Sequence, residues 1–279
     1  MDKFRETVKN EIETVEKKIS QQISGSDKIY SVLNKIVNAP SKKIRPTVAF
    51  LYLKSLNKDC LNDEIYNTVT AVELAHIASL IHDDIIDDAK FRRGQETINS
   101  EYGKDLAVIC GDFLVTKAIN LILENKSVAL LSLFNDTFQK MCLSEADQYF
   151  LKNTVPSLDD YLKKTAGKTA ELFKLALKGC GLFVEGFDFE NAEKFAENFG
   201  IAFQIKNDLT SFLDKNPDNQ NGIFTLPDIF MKELQDKNLA IEKTHYLIDN
   251  YLKSAGNCIE KFRESEYKKA LLGVINWIK

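Results

Sequence analysis

Four aspartates close an apolar segment of the chain, and their spacing suits metal chemistry. Asp83, Asp84, Asp87 and Asp88 end the segment AVELAHIASLIHDDIIDD, which spans residues 71–88. On a helix, Asp83 and Asp87 lie about one turn apart on the same face. Carboxylates so arranged bind hard divalent cations, and magnesium retains room for phosphate oxygens in its octahedral shell. The pattern therefore predicts a magnesium–phosphate site.

The rest of this segment is apolar on more than one side. His76 shares the stripe of Asp83, whereas Leu74, Ala78 and Ile81 make the other side apolar. We therefore expect a helix that is buried on both sides. The alternative is a solvated helix end, but acidic side chains there repel the negative pole of the helix dipole.

Two basic pairs flank the acidic helix in the sequence. Lys42 and Arg45 come just before Pro46, a residue suited to the first turn of a helix. Arg92 and Arg93 follow the aspartates. Arginine offers a planar fork for phosphate oxygens, and lysine a mobile point charge. Each pair alone is more typical of solvated loop charges, but their position on both sides of the acidic helix favours phosphate binding.

Helical periodicity dominates the whole chain. The 12 glycines and 5 prolines are sparse and fall mostly between the periodic segments, as expected of connectors. The pattern predicts one all-α domain over residues 1–279, with shorter helices near the C-terminus. Long helices are predicted at residues 2–23, 46–57, 63–88, 107–125, 127–152, 158–185 and 189–214.

A family resemblance rests on several motifs together. The stretch HDDIIDDAKFRRG resembles the first aspartate-rich motif and the following arginine pair of the trans-polyprenyl diphosphate synthases. KKIRP, GDFLVTKA, KTAELF, FQIKND and TLP stand in the family's order, so the resemblance covers roughly residues 40–230. It implies an isoprenoid synthase-type helical bundle around a central cavity. It also implies condensation of isopentenyl diphosphate with an allylic diphosphate, with Mg²⁺ as cofactor.

The resemblance also implies roles for individual residues. The diphosphate of isopentenyl diphosphate would be held by Lys42, Arg45, His76 and Arg93. The metals and the allylic diphosphate would be held by Asp83, Asp84, Asp87, Arg92, Lys168 and Asp208, with Asp83, Asp87 and Asp208 as metal ligands. Thr169 and Gln204 would line the allylic end. From the residues alone, His76 could equally be a hydrogen-bonded core histidine, and Thr169 a helix surface residue.

The second acidic motif departs from the family pattern. Where a second DDxxD is expected, the chain has Asn207, Asp208 and Ser211, so two of three carboxylates are replaced. Hard Mg²⁺ prefers carboxylates, so metal binding on this side is expected to be weaker. Asp214 is a candidate substitute. Ile223 stands just before the TLP stretch, at a position where the family pattern has a lysine.

Two other functions compete with an active synthase. The altered motif is compatible with an inactive or weak partner subunit of a heteromeric prenyl synthase. A class I terpene cyclase or head-to-head prenyl synthase would also need DDxxD and a helical bundle. The complete first motif and the retained Lys42, Arg45, Arg92, Arg93 and Lys168 favour an active enzyme over a partner subunit. The resemblance implies that Lys42, Arg45 and Arg93 bind isopentenyl diphosphate, which favours a synthase over a cyclase.

Product length depends on the wall of the cavity below the metals. Ala78 and Ser79 stand about one turn before Asp83, where short-chain relatives commonly have an aromatic residue. Their small size suggests a product longer than a farnesyl chain. Phe113 or a deeper side chain could still form a floor.

Composition limits the partners and the location. A net charge of −4 and a pI near 5.6 argue against a nucleic-acid surface. The charged N-terminus is unlike a signal peptide, and we identify no membrane-spanning segment, so a cytoplasmic protein is expected. The five cysteines are scattered singly, which is typical of reduced residues that pack in the core.

The resemblance implies a homodimer that buries the apolar helix 107–125. A position in the core of one chain, or pairing with a different chain, would also explain why this helix is so apolar.

Overall fold

Helices form nearly all of the regular structure in this computed structural model, which describes residues 1–57, 59–92, 94–214 and 222–279. The predicted all-α fold is confirmed. A short hairpin pairs β1 (Phe91–Arg92) with β2 (Gln95–Glu96). The helices in chain order are α1 (Asp2–Arg5), α2 (Lys9–Gln22), α3 (Lys28–Val37), α4 (Ile44–Leu56), α5 (Asp63–Ile86), α6 (Ile98–Glu101), α7 (Lys104–Glu124), α8 (Val128–Phe150), α9 (Leu158–Thr165), α10 (Glu171–Gly181), α11 (Phe189–Leu213), α12 (Leu226–Leu234), α13 (Lys237–Ile259) and α14 (Glu266–Ile278).

Helix α5 is the central element of the bundle and carries the aspartates. It packs against α2, α4, α7 and α10. The Asn62 side chain caps its first turn by accepting a hydrogen bond from the Ile65 amide. Two acidic residues in this turn stabilise the helix by interacting with the positive end of its dipole. Most of its apolar residues are buried, on more than one side as the sequence predicts, whereas Ile86 at its end is exposed. Asp88, in the left-handed region at φ 51°, follows the helix.

The predicted helix 158–185 is divided by a π-helical turn. α9 and α10 are joined by Ala166–Ala170, which contains Lys168 and Thr169. Two glycines let other helices approach this turn. A Cβ on Gly167 would lie 1.8 Å from Oγ of Ser144 on α8, and one on Gly200 of α11 would lie 2.6 Å from Cα of Ala170. The close approach brings residues of α8 and α11 to the π-helical turn.

Other predicted elements differ in detail. The helix predicted at 2–23 is interrupted by a 3₁₀ turn at Glu6–Val8, and α3 was not identified from the sequence. The hairpin strands are two residues long, too short to show an alternating pattern. Such short elements depend on neighbouring structure rather than on local propensity.

Helix α7 is long and apolar enough to cross a membrane by length and composition alone. The sequence-based statement that no segment meets this test is therefore wrong for α7. In the fold, 39% of its most apolar window is buried, and it packs along α5. Ile109 and Leu123 are exposed on it.

Candidate active site

The bundle encloses a cavity of about 900 Å³ at the C-terminal end of α5. Charged, polar and apolar side chains all line it. The apolar part of the lining includes Ile44, Ile77, Leu80, Ile81 and Phe203. Such a cavity can take a ligand that combines charged groups with a hydrocarbon body.

The first acidic motif lines one wall. Asp83, Asp84 and Asp87 all line the cavity, whereas Asp88 turns outward to a salt bridge with Lys104 (2.9 Å). Asp84 is buried and accepts hydrogen bonds from Nε and Nη2 of Arg92 at 2.8 and 2.7 Å. Arg92 thus lies at the cavity as expected, but in this structure it is held by Asp84.

Lys168 faces the same wall from the π-helical turn. Its Nζ lies 3.3 Å from Oδ1 of Asp83 and 2.5 Å from Oε2 of Glu145 on α8. Burial lowers the pKa of Lys168, but the nearby carboxylates of Asp83 and Glu145 more than offset this and hold it above its ordinary value. The ammonium therefore stays charged beside the aspartates.

The first motif fits a divalent cation. Burial raises the pKa of both Asp83 and Asp87, an effect that Lys168 only partly offsets. No donor among the described residues reaches the buried Oδ1 of Asp87. A buried carboxylate oxygen without a partner is costly, and a cation would satisfy it. In the described part of the chain, however, no three His, Cys, Asp or Glu side chains converge as a ready-made metal site.

Three of the predicted basic residues, Lys42, Arg45 and His76, line the same cavity. Arg45 is buried, with its guanidinium carbon 5.1 Å from the centroid of the Phe173 ring, and His76 lines the cavity. Lys42 is exposed at the rim, and its Nζ lies 5.1 Å from the ring centroid of Trp277 on α14. Arg93 lies outside the described residues.

A buried ion pair supports the loop that carries these residues. Lys43, in the left-handed region at φ 45°, precedes α4, and its Nζ lies 3.2 Å from Oε1 of Glu73 on α5. Both side chains are almost fully buried. Lys43 lies between Lys42 and Arg45 in the sequence, so the pair attaches the loop that carries them to the central helix α5.

Asp208 of the second motif belongs to a hydrogen-bond chain. The hydroxyl of Tyr161 donates to Oδ2 of Asp208 at 2.5 Å, and Nε2 of Gln204 donates to Oδ1 at 2.7 Å. Thr169 donates to Oε1 of Gln204 at 3.0 Å. Burial, together with the negative charge of Asp208, raises the pKa of Tyr161 well above its ordinary range. All these side chains except Tyr161 line the cavity.

The replaced positions also lie at this wall. Asn207 is exposed and lines the cavity, as does Ile223 at the position where the family pattern has lysine. Asp214 is exposed beyond the end of α11 and does not line the cavity. Residues 215–221, which follow Asp214 in the sequence, lie outside the described chain.

The residues predicted to set product length lie beside the cavity rather than in its lining. Ala78 is fully buried, and Oγ of Ser79 donates to the carbonyl of His76 at 2.8 Å. The α5 side chains that line the apolar part are Ile77, Leu80 and Ile81. Phe113 packs edge-on against Tyr30 of α3, with ring centroids 5.7 Å apart.

Sequence reasoning missed Glu145 and Tyr161. Each is a single polar residue within a predicted helix, without a spacing that marks it out. In the sequence, Glu145 is distinguished only as a carboxylate on a helix with both polar and apolar residues, and Tyr161 only by its position shortly before the KTAELF stretch. Neither feature shows that Glu145 contacts Lys168 or that Tyr161 contacts Asp208.

Comparisons with known proteins identify the family of this chain. Residues 26–264 match the sequence profile described as polyprenyl synthetase. The chain is 30% identical over 278 aligned residues to octaprenyl diphosphate synthase from Haemophilus influenzae, covering 86% of this chain and 84% of that protein. It is 30% identical over 214 residues to the short chain isoprenyl diphosphate synthase from Methanocaldococcus jannaschii, covering 74% of this chain and 64% of that protein.

A solved structure shows the same fold. The decaprenyl diphosphate synthase from Rhodobacter capsulatus superposes with a TM-score of 0.90 at 20% identity, covering 99% of this chain and 98% of that one. The chain thus has the all-α fold of the isoprenoid synthases. The chain belongs to the polyprenyl synthetase family.

Proposed function

We propose that this protein condenses isopentenyl diphosphate with an allylic diphosphate to make a trans-polyprenyl diphosphate, and that it requires Mg²⁺. The observation that carries the proposal is the cavity, whose lining combines the aspartates of the first motif, basic residues and apolar side chains. The aspartates suit a metal-bound diphosphate, and Arg45 suits a second anion.

The acidic wall would bind the allylic substrate. Asp83 and Asp87 would hold Mg²⁺, which when bound neutralises diphosphate charge and eases departure of the leaving group. Asp208 is proposed as the ligand on the second wall, because its carboxylate lines the cavity and is oriented by hydrogen bonds from Tyr161 and Gln204. Lys168 and Arg92 would contact the departing diphosphate directly.

The basic residues would orient the second substrate, isopentenyl diphosphate. Arg45 and His76, with Lys42 from the rim and Arg93, would bind the diphosphate of isopentenyl diphosphate. The allylic carbon–oxygen bond would break first, giving an allylic cation and diphosphate. The isopentenyl double bond then attacks this cation, and the new carbocation loses a proton to form a double bond, with the released diphosphate as the proposed base. Apolar side chains such as Leu80 and Phe203 would exclude water from the allylic cation.

A partner subunit is the second candidate function. Asn207 and Ser211 supply neutral oxygens where the family pattern has carboxylates, and this weakens the case for full activity. The ion contacts of the first motif favour the enzyme, because Asp83, Lys168 and Glu145 form a partly buried charge cluster whose desolvation is costly to keep without a function.

Substrate dependence separates these candidates. Purified protein is incubated with Mg²⁺ and geranyl or farnesyl diphosphate, with and without isopentenyl diphosphate, and products are resolved by chromatography. A synthase yields a longer prenyl diphosphate only when isopentenyl diphosphate is present. Hydrocarbon formed from the allylic diphosphate alone would indicate a cyclase-like enzyme. Folded protein without product at high Mg²⁺ would indicate a partner subunit.

We also propose a cytoplasmic homodimer, with pairing to a different chain as the alternative. Exposed apolar side chains on α7 and α8 support association, among them Ile109, Leu123, Val128 and Leu143. Light scattering during size-exclusion chromatography measures the mass of the purified protein. A mass twice that of the 31.7-kDa chain is expected, and a monomer would contradict the homodimer.

A further inference from the structure

We propose that Tyr161 is a positioning residue for the metal–diphosphate site, acting through the one carboxylate that the second motif retains. Its hydroxyl, together with the Gln204 amide, fixes the orientation of Asp208. This inference rests on the proposed function, because it assigns a role toward the magnesium and diphosphate of that site.

The contact is direct and buried. Tyr161 is fully buried on α9, and its hydroxyl lies 2.5 Å from Oδ2 of Asp208, which is 8% exposed. A hydrogen bond from a hydroxyl to a carboxylate is stronger than one between neutral groups, and a buried site excludes the water that would compete. The bond therefore selects one rotamer of Asp208.

The altered motif makes this orientation important. With Asn207 and Ser211 in place of carboxylates, Asp208 is the only full negative charge left in the second motif. Three carboxylates can share cations in several arrangements, whereas a single carboxylate must be aimed correctly. Residues that hydrogen-bond a metal ligand orient it, and their removal typically weakens metal affinity about 10–100-fold.

The same chain of bonds reaches the substrate wall. Oδ1 of Asp208 accepts from Gln204, and Gln204 in turn accepts from Thr169 on the π-helical turn. A shift of Asp208 would therefore also displace two side chains that line the cavity. Tyr161 connects α9 to α11 and the π-helical turn without lining the cavity itself.

The test measures protein-bound Mn²⁺ by equilibrium dialysis in the presence of inorganic pyrophosphate, as the excess of total manganese on the side that holds the protein. Tyr161→Phe keeps the ring and removes only the donor. The expected result is an increase of about tenfold or more in half-saturating Mn²⁺. Tyr52→Phe is the matched control, because Tyr52 is a buried tyrosine whose hydroxyl accepts from Asn191 of α11. It should bind like wild type.

A double-mutant cycle distinguishes orientation from a general structural effect. If Tyr161 acts through Asp208, then Tyr161→Phe adds no further loss in an Asp208→Ala background, whereas it adds its full loss in an Asp87→Asn background. Thermal unfolding confirms that each variant folds. If Tyr161→Phe does not fold, Gln204→Leu removes the other donor to Asp208 and is expected to raise half-saturating Mn²⁺ in the same non-additive way.

The outcomes separate the two claims. Wild-type affinity in Tyr161→Phe, or an equal loss in the presence and absence of the Asp208 carboxylate, would overturn the role of Tyr161 while leaving the proposed function intact. A wild-type protein that binds no Mn²⁺ with pyrophosphate would overturn both.

Discussion

The ammonium of Lys168 lies 2.5 Å from Glu145 and 3.3 Å from Asp83, so that one cation bridges helix α8 and the first acidic motif. Glu145 therefore keeps Lys168 at the cavity wall even if a metal takes over Asp83. Without Glu145, Lys168 would stay paired with Asp83 and would compete with the metal for that carboxylate.

Glu145→Gln tests this arrangement. We expect about a tenfold rise in the Mg²⁺ concentration needed for half-maximal activity, together with a lower kcat, because Lys168 would bind Asp83 more closely. Steady-state kinetics at several Mg²⁺ concentrations measure both. Glu193→Gln is the control, since Glu193 pairs with Lys178 at 2.7 Å away from the cavity lining. Equal behaviour of the two variants would refute the role of Glu145.

The first acidic motif was predictable because its evidence is local. Asp83 and Asp87 share a helix, so the helical period alone places them on one face. Asp208 was also identified, but only through resemblance to the family motif. The fold class followed similarly from sustained helical periodicity.

Other parts of the site depend on long-range packing. Glu145 meets Lys168 because the neighbouring Ser144 and Gly167 bring α8 against the π-helical turn. No local pattern in either helix specifies this approach. The contact between Tyr161 and Asp208 likewise joins residues 47 positions apart.

The aspartates are expected to destabilise the metal-free protein. Burial raises the pKa of the Asp87 carboxyl above its ordinary value of 3.8. The stability that the protonated carboxyl contributes is therefore complete below pH 3.8. It is lost as the pH rises through the raised pKa and the buried group becomes charged. At neutral pH, Asp87→Asn should therefore raise Tm in the presence of a chelator, by about 2 °C or more.

Asp88→Asn provides the control for this prediction. Asp88 is exposed, and its salt bridge with Lys104 lowers its pKa, so neutralising it should not raise Tm. With Mg²⁺ and pyrophosphate, wild type and Asp88→Asn should gain stability while Asp87→Asn gains less. Differential scanning calorimetry measures these shifts. A lower chelated Tm in Asp87→Asn than in wild type would contradict the prediction.

The close packing at Gly200 should be sensitive to a single methyl group. Gly200→Ala would place Cβ 2.6 Å from Cα of Ala170, a backbone atom that cannot rotate away. We expect a loss of about 1–3 kcal/mol in the free energy of unfolding. Gly256→Ala, within α13 and facing open space, should instead stabilise by about 0.5–1 kcal/mol. Urea unfolding measures both, and equal effects would contradict the packing argument.

Restoring a carboxylate to the second motif should strengthen metal binding. Asn207 is exposed on the cavity wall, so Asn207→Asp adds charge with little desolvation. The half-saturating concentration of Mg²⁺ with pyrophosphate, measured by calorimetry, should fall severalfold. Thr210→Asp adds the same charge to α11 at an exposed position outside the cavity lining and should have a smaller effect. An equal gain in both variants would indicate only a general electrostatic effect.

The most direct measurement is the incorporation of radiolabelled isopentenyl diphosphate into extractable prenyl diphosphates. Purified protein is supplied with Mg²⁺ and each of dimethylallyl, geranyl, farnesyl and geranylgeranyl diphosphate. We predict Mg²⁺-dependent product with at least one primer, abolished in Asp83→Ala and retained in Asp88→Ala. Its chain length would then test the expectation based on Ala78 and Ser79. Failure of the folded protein to form product with any primer at high Mg²⁺ would contradict the proposal that this chain is a synthase by itself.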